Sequence, residues 1–412
     1  MSVTLTNTQG RAVSKIQGWL ENDAHDKQVF RLFGFAGTGK TTILRQVIGE
    51  LGLRDDQVCY AAFTGKASVV MRKHGLPATT IHSLIYKVSL SSDDSVKEED
   101  DKLKQMREDK ADKKLIREQR LKVSRMKSPH FHLNDDSAAS NVKLIVLDEV
   151  SMVDKQLGED LLSFGTPILV VGDPGQLPPV KNDKGEGFFM RQNPDVMLTE
   201  IHRQALDSPI IRLATMVREG QKIPYGKFGK GVRKVPMINK TSTYLKYDQI
   251  ICGRNVTRYK LNNEIRKKLG YEGDYPTGEA EKIICLKNNY DIGLINGLFI
   301  VLKETESYTD DYIRADIYDE EGDLLVGGAV IYRGEFLQHK KFKRTRLEDD
   351  YKTRRGYVEA TYGWVITCHK AQGSQWNNIM VIDESFSWPG QQRRQWLYTA
   401  ITRAESRLTI VG

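Results

Sequence analysis

Short, almost wholly apolar runs recur along this chain, separated by stretches whose apolar residues return every three or four positions. The clearest runs are Val29 to Phe33, Lys143 to Leu147, Pro167 to Gly172, Gln249 to Gly253, Gln375 to Asp383 and Leu408 to Val411. Their length and lack of strict alternation predict buried strands. Thr42 to Ile48 and Arg394 to Arg403 carry apolar residues at helical spacing. Strands alternating with helices predict an α/β fold built on parallel sheets, and the texture occurs twice.

Two segments break the pattern. From Asp93 to Lys127 the chain is dominated by Asp, Glu, Lys and Arg, with Leu103, Met106, Leu115, Ile116, Leu121 and Met126 as a thin apolar stripe. One or two charged helices are expected there, either as a solvated arm or as an accessory element with a role of its own, and no hairpin signature is evident. Phe131, after Pro129 and between His130 and His132, is the aromatic candidate for a wedge. The second segment, about Glu279 to Gln338, alternates apolar and polar residues between glycine turns, at Lys282 to Leu286, Gly297 to Leu302, Tyr312 to Ile317 and Gly327 to Ile331. Short alternating strands predict a small β-barrel. The basic run Lys340 to Arg346 that follows suits a phosphate backbone or a solvated loop.

What lies at the strand ends carries chemistry. Val29 to Phe33 runs into Gly34-Phe35-Ala36-Gly37-Thr38-Gly39-Lys40-Thr41-Thr42, a complete phosphate-binding loop ahead of a helix. Gly37 and Gly39 allow backbone N–H groups of Thr38, Lys40, Thr41 and Thr42 to turn inward round a triphosphate. Lys40 is expected to reach the β- and γ-phosphates and Thr41 to hold Mg²⁺. Lys143 to Leu147 ends in Asp148 and Glu149, the first a candidate Mg²⁺ ligand through water and the second a candidate to polarise attacking water. An acidic pair at a strand end also serves as a cap or turn. The strand to Gly172 ends in Asp173-Pro174-Gly175-Gln176-Leu177-Pro178-Pro179, where Gln176 is placed to sense a γ-phosphate or simply to fill a turn. One triphosphate loop for two sheets predicts a nucleotide in the cleft between them, with Arg203 and Arg403 as cations supplied to it.

Bulk properties add little. The 412 residues carry a formal net charge of +8, which favours an anionic partner without specifying one. Cys59, Cys252, Cys285 and Cys368 are scattered in apolar surroundings with no paired spacing, so they read as core residues rather than as disulfides or zinc ligands. The start of the chain shows no signal pattern, and no apolar run approaches the roughly 20 residues of a membrane span, so a soluble cytoplasmic protein with no membrane partner is expected.

Taken together, the motifs resemble those of superfamily 1 DNA helicases of the Dda- and RecD-like branch. Leu5 to Gln9 resembles the adenine-reading motif, with Gln9 as the amide that pairs with the base. Ala61 to Ser68, Thr79 to Leu84, Asp148 to Met152, Gly172 to Val180, Leu198 to Gln204, Thr367 to Gln375 and Tyr398 to Ala404 follow in the family's order. The resemblance implies two RecA-like parallel-sheet domains, with a charged helical insertion and a small SH3-like β-barrel insertion. The expected division is 1–86 with 138–205, 87–137, 206–278 with 352–412, and 279–351. It also implies ATP and Mg²⁺ as cofactors, nucleotide contacts at Gly373 and Gln375, and DNA contacts at Thr64, Lys66, His82, Pro178, Thr367, His369 and Lys370. Hydroxyls, lysines and backbone N–H groups suit phosphates and sugars, and ring and proline surfaces suit bases.

The expected function is a monomeric ATP-dependent motor that moves 5′ to 3′ on single-stranded or forked DNA in replication, recombination or repair, with proteins of those processes as further partners. Its compact length resembles phage-encoded members, which would place it in a host cytoplasm. The motor subunit of a recombination nuclease, an RNA-directed relative and a nucleotide-switched binding module remain open beside it.

Overall fold

The computed structural model describes residues 5–89, 93–109, 112, 115, 119, 130–178, 187–201, 207–238, 241–287, 289, 294, 296–308, 311–320, 322–337 and 357–412. The chain forms two compact units, one of residues 1–85, 135–270 and 363–412 and the other of residues 86–134 and 271–362.

The first unit contains two six-stranded sheets. Strands β1 (Val29–Gly34), β2 (Val58–Ala62), β3 (Ala78–Thr80), β4 (Leu144–Asp148), β5 (Ile168–Gly172) and β6 (Val196–Leu198) assemble in the order β3-β2-β4-β5-β1-β6, every pairing parallel. β1 and β5 are buried at every position, which is why their sequences are continuous apolar runs. Arg31 is the exception within β1, and its backbone N–H donates to Asp195 at 2.8 Å. Helices α1 (Asn7–Gly18), α2 (Lys40–Glu50) and α3 (Gly65–Lys73) accompany this sheet. Ile16, Ile43, Leu44, Val47 and Met71 from these helices join Leu32, Val146 and Leu169 from the strands in one apolar core.

Sequence sets where these helices start. Thr6 and Gln9 form a reciprocal capping box at α1, Thr64 accepts from Ala67 N at 3.2 Å at α3, and Gly39 precedes α2 with φ of 79°. That left-handed value, and 80° at Gly37, are why both loop positions are glycine.

The second sheet comprises β7 (Gly226–Gly229), β8 (Val232–Val235), β9 (Gln249–Cys252), β10 (Val365–Thr367), β11 (Trp376–Ile382) and β12 (Ala404–Val411), ordered β10-β9-β11-β12-β8-β7 and parallel except for the β7·β8 edge pair. Helices α4 (Pro209–Arg218), α5 (Asn255–Lys268) and α6 (Gly390–Ile401) belong to this lobe. Asn262 on α5 clamps the short edge strand β10, donating to Val365 O at 2.9 Å and accepting from Val365 N at 3.0 Å. β3 was not anticipated, since three residues are too few to carry a period.

The second unit holds a five-stranded antiparallel sheet made of Ile283–Cys285, Phe299–Ser307, Tyr312–Tyr318, Leu324–Tyr332 and Ala360–Tyr362. All four alternating runs of the sequence are strands in it. Its edges meet where Tyr332 N donates to Val358 O and Val358 N to Val330 O, both at 2.9 Å. The charged insertion contains a helix, Asp93–Glu108, with Leu103 buried and Lys102 bridging Glu98 and Glu99. Contrary to expectation, the insertion does contain strand pairing: Tyr86–Ser89 pairs antiparallel with His130–Leu133, placing Phe131 opposite Val88. The pairing spans some forty residues, so no local turn announces it. Among the described residues no helix is long and apolar enough to cross a membrane. Cys252, Cys285 and Cys368 are buried and Cys59 half-buried, all as free thiols. The basic run Lys340 to Arg346 lies outside the described residues.

Candidate nucleotide site and nucleic-acid interface

The phosphate loop joins β1 to α2, and its lysine is folded back on it. Lys40 Nζ donates to Gly34 O at 2.8 Å and Phe35 O at 3.1 Å, and lies 4.0 Å from Asp173 at the end of β5. Gln9 docks on the same loop through Nε2, which donates to Thr38 O at 3.2 Å. The amide proposed from sequence to read the base is thus held on the phosphate loop itself, at Thr38.

Parallel strands deliver their carboxyl ends to one rim, and β4 and β5 bring acids there. Asp148 Oδ1 accepts from the N–H of Glu149, whose backbone has φ of 55°. Withdrawal from water, with the Glu149 carboxylate beside it, raises the Asp148 pKa above the usual carboxylate range. Burial likewise raises that of Asp173, against the pull of Lys40. Carboxylates that are costly to ionise here suit a divalent cation, which takes oxygen donors, and Thr41 lies in the first turn of α2 after the loop. Gln176 Nε2 lies 3.5 Å from Glu149 Oε1, while its buried Oε1 has no hydrogen-bond partner among the described residues. An orphaned amide oxygen beside the acids is consistent with a ligand site.

The second lobe reaches this rim. Arg403 at the end of α6 is 3% exposed, held by Thr399 O at 3.1 Å and Ser374 O at 3.4 Å, and its Nη1 lies 3.9 Å from Glu149 Oε1. Other contacts were not foreseen from sequence. The Tyr398 hydroxyl accepts from Ala36 N and donates to Asp173 Oδ2, each at 2.7 Å. Thr399 Oγ1 accepts from Leu177 N at 2.9 Å, and Gln372 Nε2 donates to Leu177 O at 2.9 Å. The Arg218 guanidinium, at the end of α4, lies 3.8 Å from the centroid of the Phe35 ring in the phosphate loop. Asp173 had a usable signal, since like Asp148 it ends an apolar strand beside the loop. Tyr398 and Arg218 had none, because their partners lie in the other lobe. Arg203 lies outside the described residues.

The residues expected to touch DNA sit on both lobes. Thr64 caps α3 and packs against Gly373, where a side chain would collide with its hydroxyl. Lys66 Nζ lies 5.0 Å over the Trp376 ring, and Phe63 meets His82 edge-on with centroids 6.2 Å apart. Pro178 follows Leu177, the residue clasped by Thr399 and Gln372. Thr367 ends β10, and His369 and Lys370 are half-buried in the turn Cys368–Ala371 that follows. Burial lowers the pKa of both His82 and His369. Gly373 therefore lies beside a candidate DNA residue, its neighbour Ser374 touches Arg403, and Gln375 is exposed.

Sheet order, loop and acids define a P-loop NTPase of two α/β lobes. Residues 5–230 match the family model described as AAA domain, and residues 362–411 match the UvrD-like helicase C-terminal domain. The chain belongs to this AAA-domain family. It is similar to the ATP-dependent RecD2 DNA helicase of Deinococcus radiodurans, 25% identical over 295 residues, covering 65% of this chain and 36% of the relative. The RecBCD enzyme subunit RecD of Buchnera aphidicola is 24% identical over 330 residues, covering 65% and 54%. The chain thus spans between about a third and about half of the length of these relatives. Its fold is shared by solved structures, among them two of Pif1 helicases. One, of two Pif1 helicases coordinating at forked double-stranded DNA, has a TM-score of 0.53 at 18% identity and covers 100% of this chain and 92% of that one. The other, Bacteroides Pif1 bound to single-stranded DNA, has a TM-score of 0.52 at 18% identity, covering 100% and 93%.

Proposed function

We propose that this chain is an ATP-dependent DNA helicase, acting as a monomer that moves 5′ to 3′ on single-stranded DNA and opens duplex ahead of it. The observation that carries the reading is the convergence of Gln176 and Arg403, from different lobes, on Glu149. A carboxylate placed to orient water, next to a cation that depends on the other lobe, makes hydrolysis sensitive to lobe position.

In this reading Lys40 leaves the Gly34 and Phe35 carbonyls for the β- and γ-phosphates, and Gly37, Thr38, Gly39 and Thr42 contribute the backbone cradle. Thr41 and Asp148 hold Mg²⁺, which neutralises charge between the phosphates when bound. Glu149 accepts the proton of the attacking water, Gln176 reports the γ-phosphate to the neighbouring segment at Pro178, and Arg403 stabilises charge on the transferred group. Arg203 shares that last role on sequence grounds. Gln9 reads the base. Thr64, Lys66, His82, Pro178, Thr367, His369 and Lys370 grip the strand through its backbone and base faces, which suits movement without sequence preference. The charged helix and paired strands of 86–134 would serve at the duplex junction, and the antiparallel sheet of 271–362 as an SH3-like guide.

The RecBCD-subunit relative favours a second reading, the same motor as one chain of a larger complex. Strand displacement on 5′-tailed, 3′-tailed and blunt duplexes tests the proposal, with Lys40→Ala as control. Opening of the 5′-tailed duplex alone, lost in the variant, is expected. ATP hydrolysis that DNA never stimulates, with no displacement on any substrate, would overturn it.

A further inference from the structure

The hydroxyl of Tyr398 touches two parts of the nucleotide site at once, and neither contact belongs to the roles assigned above. It takes the N–H of Ala36, inside the phosphate loop, and gives its own proton to Asp173 at the end of β5. The side chain comes from α6 of the other lobe and is 2% exposed. The site is shaped for it, because at Gly175 a Cβ would stand 2.8 Å from the Tyr398 ring. A ring needing only space would be served by phenylalanine. Here the oxygen is both acceptor and donor at 2.7 Å, the geometry of strong bonds.

Arg403 follows five residues on, two past the end of α6, and this end of the helix is tied to the first lobe. Tyr398 holds Ala36 and Asp173, Thr399 holds the amide of Leu177, and Arg403 itself faces Glu149. A guanidinium 3.9 Å from the candidate water-orienting carboxylate of Glu149 can stabilise charge there only if it is held in register, since such stabilisation depends on preorganised geometry. We propose that Tyr398 is a positioning residue for hydrolysis: its hydroxyl locks α6 to the phosphate loop and Asp173, and so sets Arg403 against the reacting phosphate. The claim rests on the ATPase part of the reading above. Asp173 is the anchor on the first lobe, held near Lys40, so the lock ties the helix to the two elements that surround the phosphates.

The test is Tyr398→Phe, which keeps the ring against Gly175 and removes both hydrogen bonds. DNA-stimulated kcat for ATP should fall about tenfold, with KM for ATP changed less than about twofold. In an Arg403→Lys background the same change should cost little more, because residues acting as one unit are not additive. Unaltered kcat in Tyr398→Phe, or full additivity with Arg403→Lys, would overturn the proposal, as would a fall in kcat matched by a rise in KM. Thermal melting of each variant separates the effect from unfolding, and Asp173→Ala, which removes the acceptor at the other end of the bond, should reproduce the kcat loss if a melted Tyr398→Phe gives no reading. Should DNA fail to stimulate the unaltered chain, the helicase reading falls, and the Tyr398 claim is decided on the basal rate with the same variants.

Discussion

Arg403 and Glu149 face each other at 3.9 Å across two lobes whose sheets share no strand. Glu149 owes its place to β4 and to a left-handed backbone at its own Cα, and Arg403 owes its place to the carbonyls of Thr399 and Ser374. The pair is therefore assembled by tertiary contact alone.

Replacing Arg403 with Ala should lower DNA-stimulated ATP turnover by about a thousandfold, as for arginines supplied to phosphoryl transfer. ATP binding should survive, since Lys40 and the loop are untouched. Because two carbonyls lose a buried donor, the variant should also lose about 1 to 3 kcal/mol of stability. Steady-state kinetics beside a denaturant titration reads both. Turnover within about threefold of the original would remove Arg403 from the site.

Gly175→Ala tests the contact between lobes from the other side. Its new Cβ would meet the Tyr398 ring at 2.8 Å, and that ring is itself buried, which leaves it little room to yield. Overpacking of this kind costs about 1 to 3 kcal/mol. Thermal melting should show that loss together with reduced hydrolysis, whereas an unchanged melt would mean that the ring moves freely.

Lys66 and His369 should differ in how salt affects DNA binding. Lys66 carries a charge, so Lys66→Ala should reduce the slope of log K against log salt by about one. Burial depresses the His369 pKa, which leaves the ring neutral at pH 7.5, so His369→Gln should weaken binding without changing the slope. Fluorescence anisotropy on a labelled oligonucleotide at several salt concentrations separates the two. Equal slopes for both variants would count against the lysine as a phosphate contact.

Acidification should destabilise the protein through the same histidines. His82 and His369 both have folded-state pKa values below the unfolded value of about 6.5. Between the folded and unfolded values the unfolded chain binds more protons, so stability falls as pH drops below about 6.5 and is fully present above it. Urea unfolding at pH 7.5, 6.5 and 5.5 should show the decline, and His82→Gln should flatten it. A steeper decline in that variant would contradict the burial of the ring.

The phosphate loop, Asp148, Glu149 and the strand ending at Asp173 were legible in the sequence because each is local: an apolar run fixes the strand, and the residue after it inherits the rim. The inserted antiparallel strands were legible through their alternation, as at Tyr312 to Ile317. The pairing of Tyr86–Ser89 with His130–Leu133 was not, since forty residues separate partners with no turn between them.

By itself, then, the chain's order of residues determined two α/β lobes, one triphosphate loop and the chemical type of each group at the strand ends, because backbone periodicity and loop geometry are set by near neighbours. Only the tertiary structure decided which groups meet. That Tyr398 lies on Ala36 and Asp173, that Arg218 covers Phe35, and that Arg403 faces Glu149 depend on the packing of one lobe on the other. Contacts between residues hundreds of positions apart are paid for by burial of the whole interface, and no short window of sequence contains that energy.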